Sequence, residues 1–443
     1  MLPHVNLPED FKETEIGPIP VDWDVMPLSQ AAEHKKTTIN PQSYRDEVFD
    51  YYSIPAYQVS DKPALEHGSE IRSQKLVVES GMVLFGKLNP RVPKIWPVIS
   101  TSARRKIAST EFIPLVPIDG RTTSEFLYYL AWSDYVLPKS RELVSGSTPS
   151  RQRVDVKAFL RIPIPLPPLP EQGRIAHVLS TIQRAIAAQD DLIAAAREVK
   201  RSLMQRLFTY GPGPEPAPTK ETEIGEMPEH WEVTPLGEVV DVKGGKRLPK
   251  GHKFADGPTD HPYIRVVDFK SNSVDKTDLR FMTPEDYERI KRYTISSEDV
   301  YISIAGTTGR VGTVPEDLDR ANLTENAAKL VIKDKRHLLK RFLVYALAGA
   351  GGQTEIRQRT TKTSQPKLAL MRIRQIPIPL PSPLEQRQIA DMLSAADRKI
   401  EAEEQRKAAL QELFKSMLHQ LMSGQLRLPK PGSYVPLAKK FNY

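Results

Sequence analysis

The 443-residue chain carries 63 lysines and arginines against 55 aspartates and glutamates, a formal net charge of +8, and no cysteine. Without thiols it has neither disulfides nor thiolate metal sites, which fits a reducing compartment; no apolar run reaches the ~18 residues of a membrane span and the opening MLPHVNLPEDFKETEIG is polar, so a soluble, cytoplasmic protein is expected. The length suggests about two to four domains and the positive balance leans toward a polyanionic partner, while the 39 prolines mark rigid turns and extended edges.

In chain order, the first recognisable element is a header, Lys12 to Leu28 (KETEIGPIPVDWDVMPL), which returns as Lys220 to Leu236 (KETEIGEMPEHWEVTPL) at an offset of 208. Ser29 to Arg161 follows, with β-rich runs at Lys75 to Val78 and Phe112 to Val116 and a buried strand at Val83-Leu84-Phe85. A short helix carries Phe126-Leu127-x-Tyr129, with Thr122 and Glu125 spaced to cap it. Pro163, Pro165, Pro167, Pro168 and Pro170 then forbid a helix by removing donors and biasing their neighbours toward extended backbone. A long helix is expected from Glu171, with apolar residues at helical spacing: Ile175, Val178, Leu179, Ile182, Ile186, Leu192, Ile193, Ala196, Val199, Leu203 and Leu207.

GPGPEPAPT, Gly211 to Thr219, reads as a short stiff linker. Beyond it, Gly237 to Gln375 has diverged from its counterpart but keeps landmarks: a run at Tyr263 to Val267, a strand at Val300-Tyr301-Ile302, Thr324-Glu325 beside Thr110-Glu111, a strand at Lys329 to Ile332, and Phe342-Leu343-x-Tyr345 on a helix that Gly349 and Gly351 are placed to end. IPIPLPSPLEQRQIADMLSAADRKIEAE then repeats IPIPLPPLPEQGRIAHVLSTIQRAIAAQ at an offset of 214 without a gap. The second stripe is Ile389, Met392, Leu393, Ala396, Ile400, Leu410, Leu413, Met417 and Leu421. A helix of about 38 residues is roughly 57 Å long at about 1.5 Å per residue, too long for one small domain to cover. Each stripe needs a partner of matching length, and the other copy supplies it; two ordinary amphipathic helices in globular cores are the alternative.

The fold expected is α+β: two mixed, strand-rich domains, 1–170 and 220–383, separated by long helices at 171–210 and 384–424 that pair as a coiled coil, with the linker at 211–219 and a tail at 425–443. One frame carries two different surfaces, a pattern suited to binding two related but non-identical targets.

Familiar catalytic chemistry is missing from the motifs. Gly306-Thr307-Thr308-Gly309 and Gly349 to Gly352 lack the lysine of a phosphate-binding loop and read as turns or helix ends. His252 and His261, near Asp256 and Asp260, lack ligand spacing. Asn89-Pro90-Arg91-Val92 is similar to the Asn-Pro-Pro-aromatic loop of amino-methyltransferases but departs at its last two positions. No nucleophile, base and orienter set stands out. What remains is basic: Lys87, Arg91, Lys94, Arg104, Arg105, Arg151 and Arg153 in the first domain, and Lys243, Lys246, Arg247, Arg265, Arg310, Arg357 and Arg359 in the second. Clustered in proline- and glycine-punctuated loops, they suit phosphate contacts, with a few arginines reading guanine edges; a merely solvated surface is the plainer reading.

The twin units Pro163 to Ala176 and Pro377 to Ala390, each with Glu-Gln at the helix start (Glu171-Gln172, Glu385-Gln386), the headers with Trp23 and Trp231, Leu84-Phe85-Gly86-Lys87-Leu88-Asn89-Pro90, Ser109-Thr110-Glu111-Phe112, Pro262-Tyr263-Ile264-Arg265-Val266 and Ile304-Ala305-Gly306 together resemble the DNA-specificity subunit of type I restriction-modification systems, over Thr14 to about Leu428. The resemblance implies two target-recognition domains, each reading one half of a bipartite asymmetric sequence in double-stranded DNA. It also implies an antiparallel helix pair in a pseudo-two-fold arrangement that fixes the spacer, paired through Ile175, Leu179, Ile182, Ile186, Ile193, Leu203 and Leu207 on one helix and Ile389, Leu393, Ile400, Leu410, Met417 and Leu421 on the other. Two methyltransferase subunits would dock on the helices and two motor-nuclease subunits would join in the full enzyme. The chain itself would be non-catalytic and hold no metal, S-adenosylmethionine, ATP and Mg2+ belonging to the partners. The alternatives are a self-contained DNA methyltransferase or nuclease, a specificity subunit of a methylation-only defence complex, and a coiled-coil scaffold binding only proteins.

Overall fold

The structure, a computed structural model, describes residues 9–60, 62–270 and 272–429. It divides into two compact units, Met1–Asp190 with Gln405–Tyr443, and Asp191–Glu404. The sequence suggested domain, helix, linker, domain, helix and tail in turn; instead, each unit takes part of both long helices. Of the expected tail, 430–443 lies outside the described residues.

In the first unit, β1 (Asp24–Pro27) and β2 (Ala32–His34) precede β3 (Val83–Gly86), β4 (Ile95–Pro97) and β5 (Phe112–Pro117). The last four form one antiparallel sheet in the order β4-β3-β5-β2. All four residues of β3 are buried, because side chains alternate across the sheet and both faces are covered. Val83 and Phe85 join the cluster with Phe126 and Leu127 of helix α1 (Ser124–Trp132), whereas Leu84 joins Trp96 and the residues of a second sheet. That sheet contains Lys106–Ala108, parallel to Val48–Tyr52 and antiparallel to Lys75–Val78. The cap of α1 is Thr123, whose hydroxyl accepts from Phe126 N at 3.2 Å; Thr122, expected in that role, is buried one residue too early. β6 (Pro163–Leu166) pairs antiparallel with β1, Pro163 opposite Pro27 and Leu166 opposite Asp24. The prolines are tolerated because this ribbon has only two strands and needs no ladder on its outer edge.

Helix α2 runs Leu169–Tyr210, starting two residues before the expected Glu171. Proline costs nothing at Pro170, since a first-turn N–H has no intrahelical acceptor. The second unit repeats the plan: β7 (Glu232–Pro235), β8 (Val240–Gly244), β9 (Val300–Ser303), β10 (Val311–Thr313) and β11 (Ala327–Ile332), with the sheet ordered β8-β11-β9-β10. Helices α3 (Lys340–Ala348) and α4 (Ala350–Arg359) follow. Gly349 separates them as expected, but Gly351 lies inside α4 rather than ending a helix. The run Tyr263 to Val267 is a strand only to Ile264; Val266–Asp268 is a 3-10 turn. β12 (Pro377–Leu380) pairs with β7, and α5 runs Pro383–Met422, so Gly424, expected as its last residue, lies beyond its end. Gly424 has φ +71°, and a Cβ there would sit 2.3 Å from Pro20 Cγ.

In the first unit Ile175, Leu179 and Leu421 are buried in the sheet-and-helix core, with Phe414 and Met417 packed against it, and Lys407 reaches Asp190 at 2.5 Å. In the second, Leu207, Ile389 and Leu393 are buried, with Leu203 beside them, and Arg197–Glu404 (2.6 Å) and Lys200–Asp397 (2.5 Å) tie the two helices in antiparallel sense. Ile193 is buried, and Ile182, Ile186, Ile400 and Leu410 are half-buried. Four stripe positions turn outward instead: Leu192, Val199, Met392 and Leu413. The apolar spacing is broader than the buried seam, and these four positions face solvent.

The duplicated header and the duplicated Glu-Gln meet in space, which accounts for their duplication. Trp23 Nε1 donates to Glu171 at 3.1 Å and Trp231 Nε1 to Glu385 at 3.0 Å. Gln172 accepts from Thr123 N (3.2 Å) and donates to Arg121 O (2.7 Å) and Pro167 O (2.9 Å). Gln386 does the same with Leu339 N (2.8 Å), His337 O (2.7 Å) and Pro381 O (2.9 Å). The glutamine thus satisfies an otherwise orphaned N–H at the start of α1 or α3 and fastens the long helix to its domain. In the first unit Arg427 adds hydrogen bonds to Glu171 (2.6 and 2.8 Å) and Asp22 (2.9 and 2.8 Å); these carboxylates push its guanidinium pKa above the usual value. Burial acts to raise the Glu385 carboxyl, but bonds from Trp231, His230 and Ser382 outweigh it and hold the group below the usual range.

Candidate nucleic-acid interface

In each unit, loops from distant parts of the chain are laced together at the same end of the four-stranded sheet. In the first unit the loop after β3 bonds to a tight turn before β5, Lys87 N to Glu111 O at 2.9 Å. It also bonds to the loop that ends at Val154: Asn89 N to Gln152 O at 2.8 Å and Val154 N to Lys87 O at 3.0 Å. Asn89 takes a left-handed φ of 49°, a conformation asparagine adopts more readily than most residues. In the second unit the loop after β9 bonds to the turn before β11, Ile304 N to Asn326 O at 2.8 Å, and to the loop before Leu368, Leu368 N to Ile304 O at 2.9 Å. A third segment follows β8: Gly245 N donates to Ala327 O (3.0 Å) and Lys246 N to Leu323 O (2.8 Å).

The turns correct the register of one landmark. Phe112 opposes Gly86 and Ala327 opposes Ser303, so Ser109-Thr110-Glu111 matches Thr324-Glu325-Asn326, one residue away from the pairing of Thr110-Glu111 with Thr324-Glu325. Ser109 Oγ accepts from Glu111 N, and Thr324 Oγ1 from Asn326 N. The turn is shared while the carboxylate sits one position earlier in the second copy.

Several sequence-selected cations converge here. Lys87, Arg91 and Arg151 stand on the first unit's laced loops, exposed or half-exposed, with no ion pair among the described residues. Arg153 lies beside them, bound to Glu111 through Nε (3.2 and 3.0 Å) and Nη2 (2.9 Å). In the second unit Arg247 meets Glu325 at 3.2 Å, Lys243 and Lys246 precede it on the same segment, and exposed Arg310 closes the loop after β9. Arg357 and Arg359 lie on the last turn of α4. Arg357 is exposed, and Arg359 is tied back to Glu355.

Others are turned to structural use. Lys94 is 6% exposed, and its ammonium donates to Val92 O (2.7 Å) and Leu88 O (3.2 Å). It braces the loop from inside rather than reaching out, and burial pushes its pKa down. Arg104 binds Asp50 at 2.7 Å on the second sheet. Burial acts to raise the Asp50 carboxyl, but Ser102, Arg104 and Ser100 more than offset this and lower its pKa. Arg105 covers Tyr44, 4.4 Å from the ring centre, and meets Glu47 at 3.2 Å. Arg265 is held by Asp268 (2.7 Å) and Asp278 (3.2 Å). Two exposed lysines were missed, Lys36 and Lys367. Lys367 forms a bridge with Ala305 in the laced set, and Lys36 follows β2 as Lys246 follows β8. Lys36 is marked only by its neighbour Lys35 and its place beyond β2, and Lys367 stands ahead of the helix Leu370–Arg374 with no basic residue beside it.

Among the described residues no group of three or more histidines and carboxylates is arranged to hold a metal; His252 instead lies 2.7 Å from Asp286. No helix among them is long and apolar enough to cross a membrane.

A duplicated frame that presents two chemically different basic loop sets defines a two-site binding protein of nucleic-acid type. The chain belongs to the family described as the type I restriction modification DNA specificity domain, whose model matches residues 20–196 and 228–412. It is 26% identical over 425 residues to the type I restriction enzyme MjaVIII specificity subunit of Methanocaldococcus jannaschii, covering 95% of this chain and 96% of that one. It is 26% identical over 281 residues to the EcoBI specificity subunit of Escherichia coli, covering 59% and 58%. In fold it resembles a chain from a structure of type I R-M system assembly (TM-score 0.58, 22% identity, 92% and 99% covered) and the type I S subunit of M. genitalium (TM-score 0.54, 14% identity, 95% and 99% covered).

Proposed function

We propose that this chain is the sequence-reading subunit of a type I restriction-modification complex. Each unit reads one half of a bipartite, asymmetric site in double-stranded DNA through its laced loops, and the long helices set the spacer between half-sites and receive the modification subunits. The single observation that carries the reading is the pairing of an unvarying frame with divergent loops. The Trp, Glu and Gln junction and the loop-to-turn lacing recur in both units, while the basic residues they carry differ: Lys87, Arg91 and Arg151 on the first, Lys246, Arg247 and Arg310 on the second, with Ile304 standing at the place of Lys87. Two copies of one docking frame suit two methyltransferase subunits, with two motor-nuclease subunits beyond them. Methyl transfer and cleavage, together with S-adenosylmethionine, ATP and Mg2+, belong to those partners, and the chain works as a non-catalytic cytoplasmic component.

Base-modification sequencing of the source cell with and without the gene tests this. Loss of one asymmetric two-part adenine-methylation motif is expected. An unchanged methylation pattern, together with no sequence-selective DNA binding by the chain co-expressed with its modification partners, would refute it.

A further inference from the structure

Arg153 and Glu111 form the one arginine and carboxylate pair of the first unit's loop set, and its geometry leaves a defined edge unused. A guanidinium has five N–H donors in a planar fork. Glu111 takes the Nε side, with Nε at 3.0 and 3.2 Å and Nη2 at 2.9 Å, and Nη1 also donates to Arg151 O at 3.3 Å. One N–H on Nη1 and one on Nη2 are left without a partner among the described residues, and the two N–H groups on the edge of a guanidinium opposite Nε run parallel. Two parallel donors on that edge match the O6 and N7 acceptors of guanine in the major groove.

The carboxylate is itself fixed. The Glu111 backbone N–H is held by Ser109 Oγ at 3.2 Å and its carbonyl accepts from Lys87 N at 2.9 Å, so the group stands on a pinned turn at a sheet end. Arg153 leads into the Val154 segment that is laced to Lys87. Both partners are thereby anchored at their Cα, yet the arginine side chain remains 48% exposed and the glutamate 25%. An ion pair so open adds little to stability, whereas fixing a long side chain in one rotamer lowers the entropy lost when it meets a partner. In the second unit Arg247 has a single contact to Glu325 at 3.2 Å and is 73% exposed, so its plane is not set in this way.

Resting on the proposed function, we infer that Glu111 is a positioning residue that orients Arg153 to read one guanine in the half-site recognised by the first unit. Glu111 does not touch the base. It acts by holding the plane of the arginine.

The test uses the full chain co-expressed with its modification partners. Selection from randomised duplexes first defines the wild-type site, and a panel with every base pair substituted in turn is then bound by wild type, Glu111→Gln, Arg153→Lys, the double variant and Arg91→Ala. Glu111→Gln and Arg153→Lys should each reduce the preference for one G·C pair in one half-site by roughly 10-fold or more, within the range of a bidentate base contact, and leave every other position unchanged. The double variant should be no worse than the poorer single one, and Arg91→Ala should weaken all duplexes alike. Uniform loss across the panel from Arg153→Lys, or an undiminished preference at every position, overturns the inference. If Glu111→Gln does not fold, Glu111→Asp, which keeps the charge but withdraws the carboxylate by one methylene, takes its place in the panel with the same expected loss. A wild-type complex that selects no sequence refutes the proposed function, an outcome visible before any variant is compared.

Discussion

Replacing Glu171 by glutamine should destabilise the first unit by about 2–4 kcal/mol. The carboxylate is 4% exposed and receives Trp23 Nε1 at 3.1 Å and Arg427 Nε and Nη2 at 2.6 and 2.8 Å. An amide keeps one acceptor oxygen, and its NH2 must then face either the indole or the guanidinium, both of which are donors. At least one hydrogen bond to a charged group is lost, about 1.5–3 kcal/mol, and a buried donor is left opposite a donor, a further cost of about 1–3 kcal/mol that overlaps the first. For a unit of this size about 2–4 °C accompanies each kcal/mol, so scanning calorimetry should record a fall of roughly 5–15 °C in the first unit's transition. Arg427→Met and the double variant complete a cycle, in which a coupling energy of about 1–3 kcal/mol is expected. A variant that melts within about 1 °C of wild type, or single effects that simply add, would show that the cluster is a surface contact and not a fastening.

Arg91→Ala should weaken DNA binding across all sequences and reduce the salt slope by about one, because one phosphate contact and its counterion release are lost, with no change in melting; an unaltered slope speaks against that contact. Lys94→Met should leave the salt slope nearly untouched but lower affinity by loosening the loop it braces, seen as faster amide exchange between residues 87 and 94; a slope reduced like that of Arg91→Ala would place Lys94 on DNA instead. Because the folded-state pKa of Glu385 lies below its ordinary value, its contribution to stability is present above the unfolded-state pKa near 4.3 and is lost as pH falls through the lower folded value. Acid unfolding of the second unit should therefore be less steep in Glu385→Gln, and identical acid limbs would contradict the assignment. Removing seven facing residues from each long helix shortens the pair by about 10 Å, equivalent to about three base pairs at 3.4 Å each. The tolerated spacer should shorten by that amount while both half-sites stay the same, and an unchanged spacer would end the ruler idea.

The repeat was legible because duplication needs no physics to detect, and the long helices were legible because 3.6-residue periodicity persists over ten turns. What the sequence hid was the meaning of individual residues. Leu192 and Leu179 occupy the same stripe, yet Leu192 is 54% exposed and Leu179 fully buried, since periodicity gives a face but not the angular width that neighbours cover. Lys94 and Arg91 stand three residues apart with the same charge, and only the fold of the loop sends one inward. Thr122 and Thr123 are equally good caps on paper; the backbone angle on entering α1 selects the second. The one-residue slip between Thr110-Glu111 and Thr324-Glu325 could be seen only from strand pairing. Of the fourteen cations selected from sequence, Lys94 is buried as a brace of its own loop, and Arg104, Arg105, Arg265 and Arg359 are engaged by carboxylates of their own unit, because a charge cluster in a loop looks the same whether it serves the loop or a ligand.

The division of each long helix between units has a consequence for synthesis. The first unit's core contains Leu421 and Met422, with Phe414 and Met417 against it, and these residues leave the ribosome only after the whole of Asp191–Glu404. At about 5–20 residues per second, a nascent chain spends roughly 10–40 seconds with the N-terminal strands and the start of α2 made and their apolar seat empty. The unit encoded first is thus the last to be completed, and during that interval Ile175 and Leu179 stand without the C-terminal share of their core.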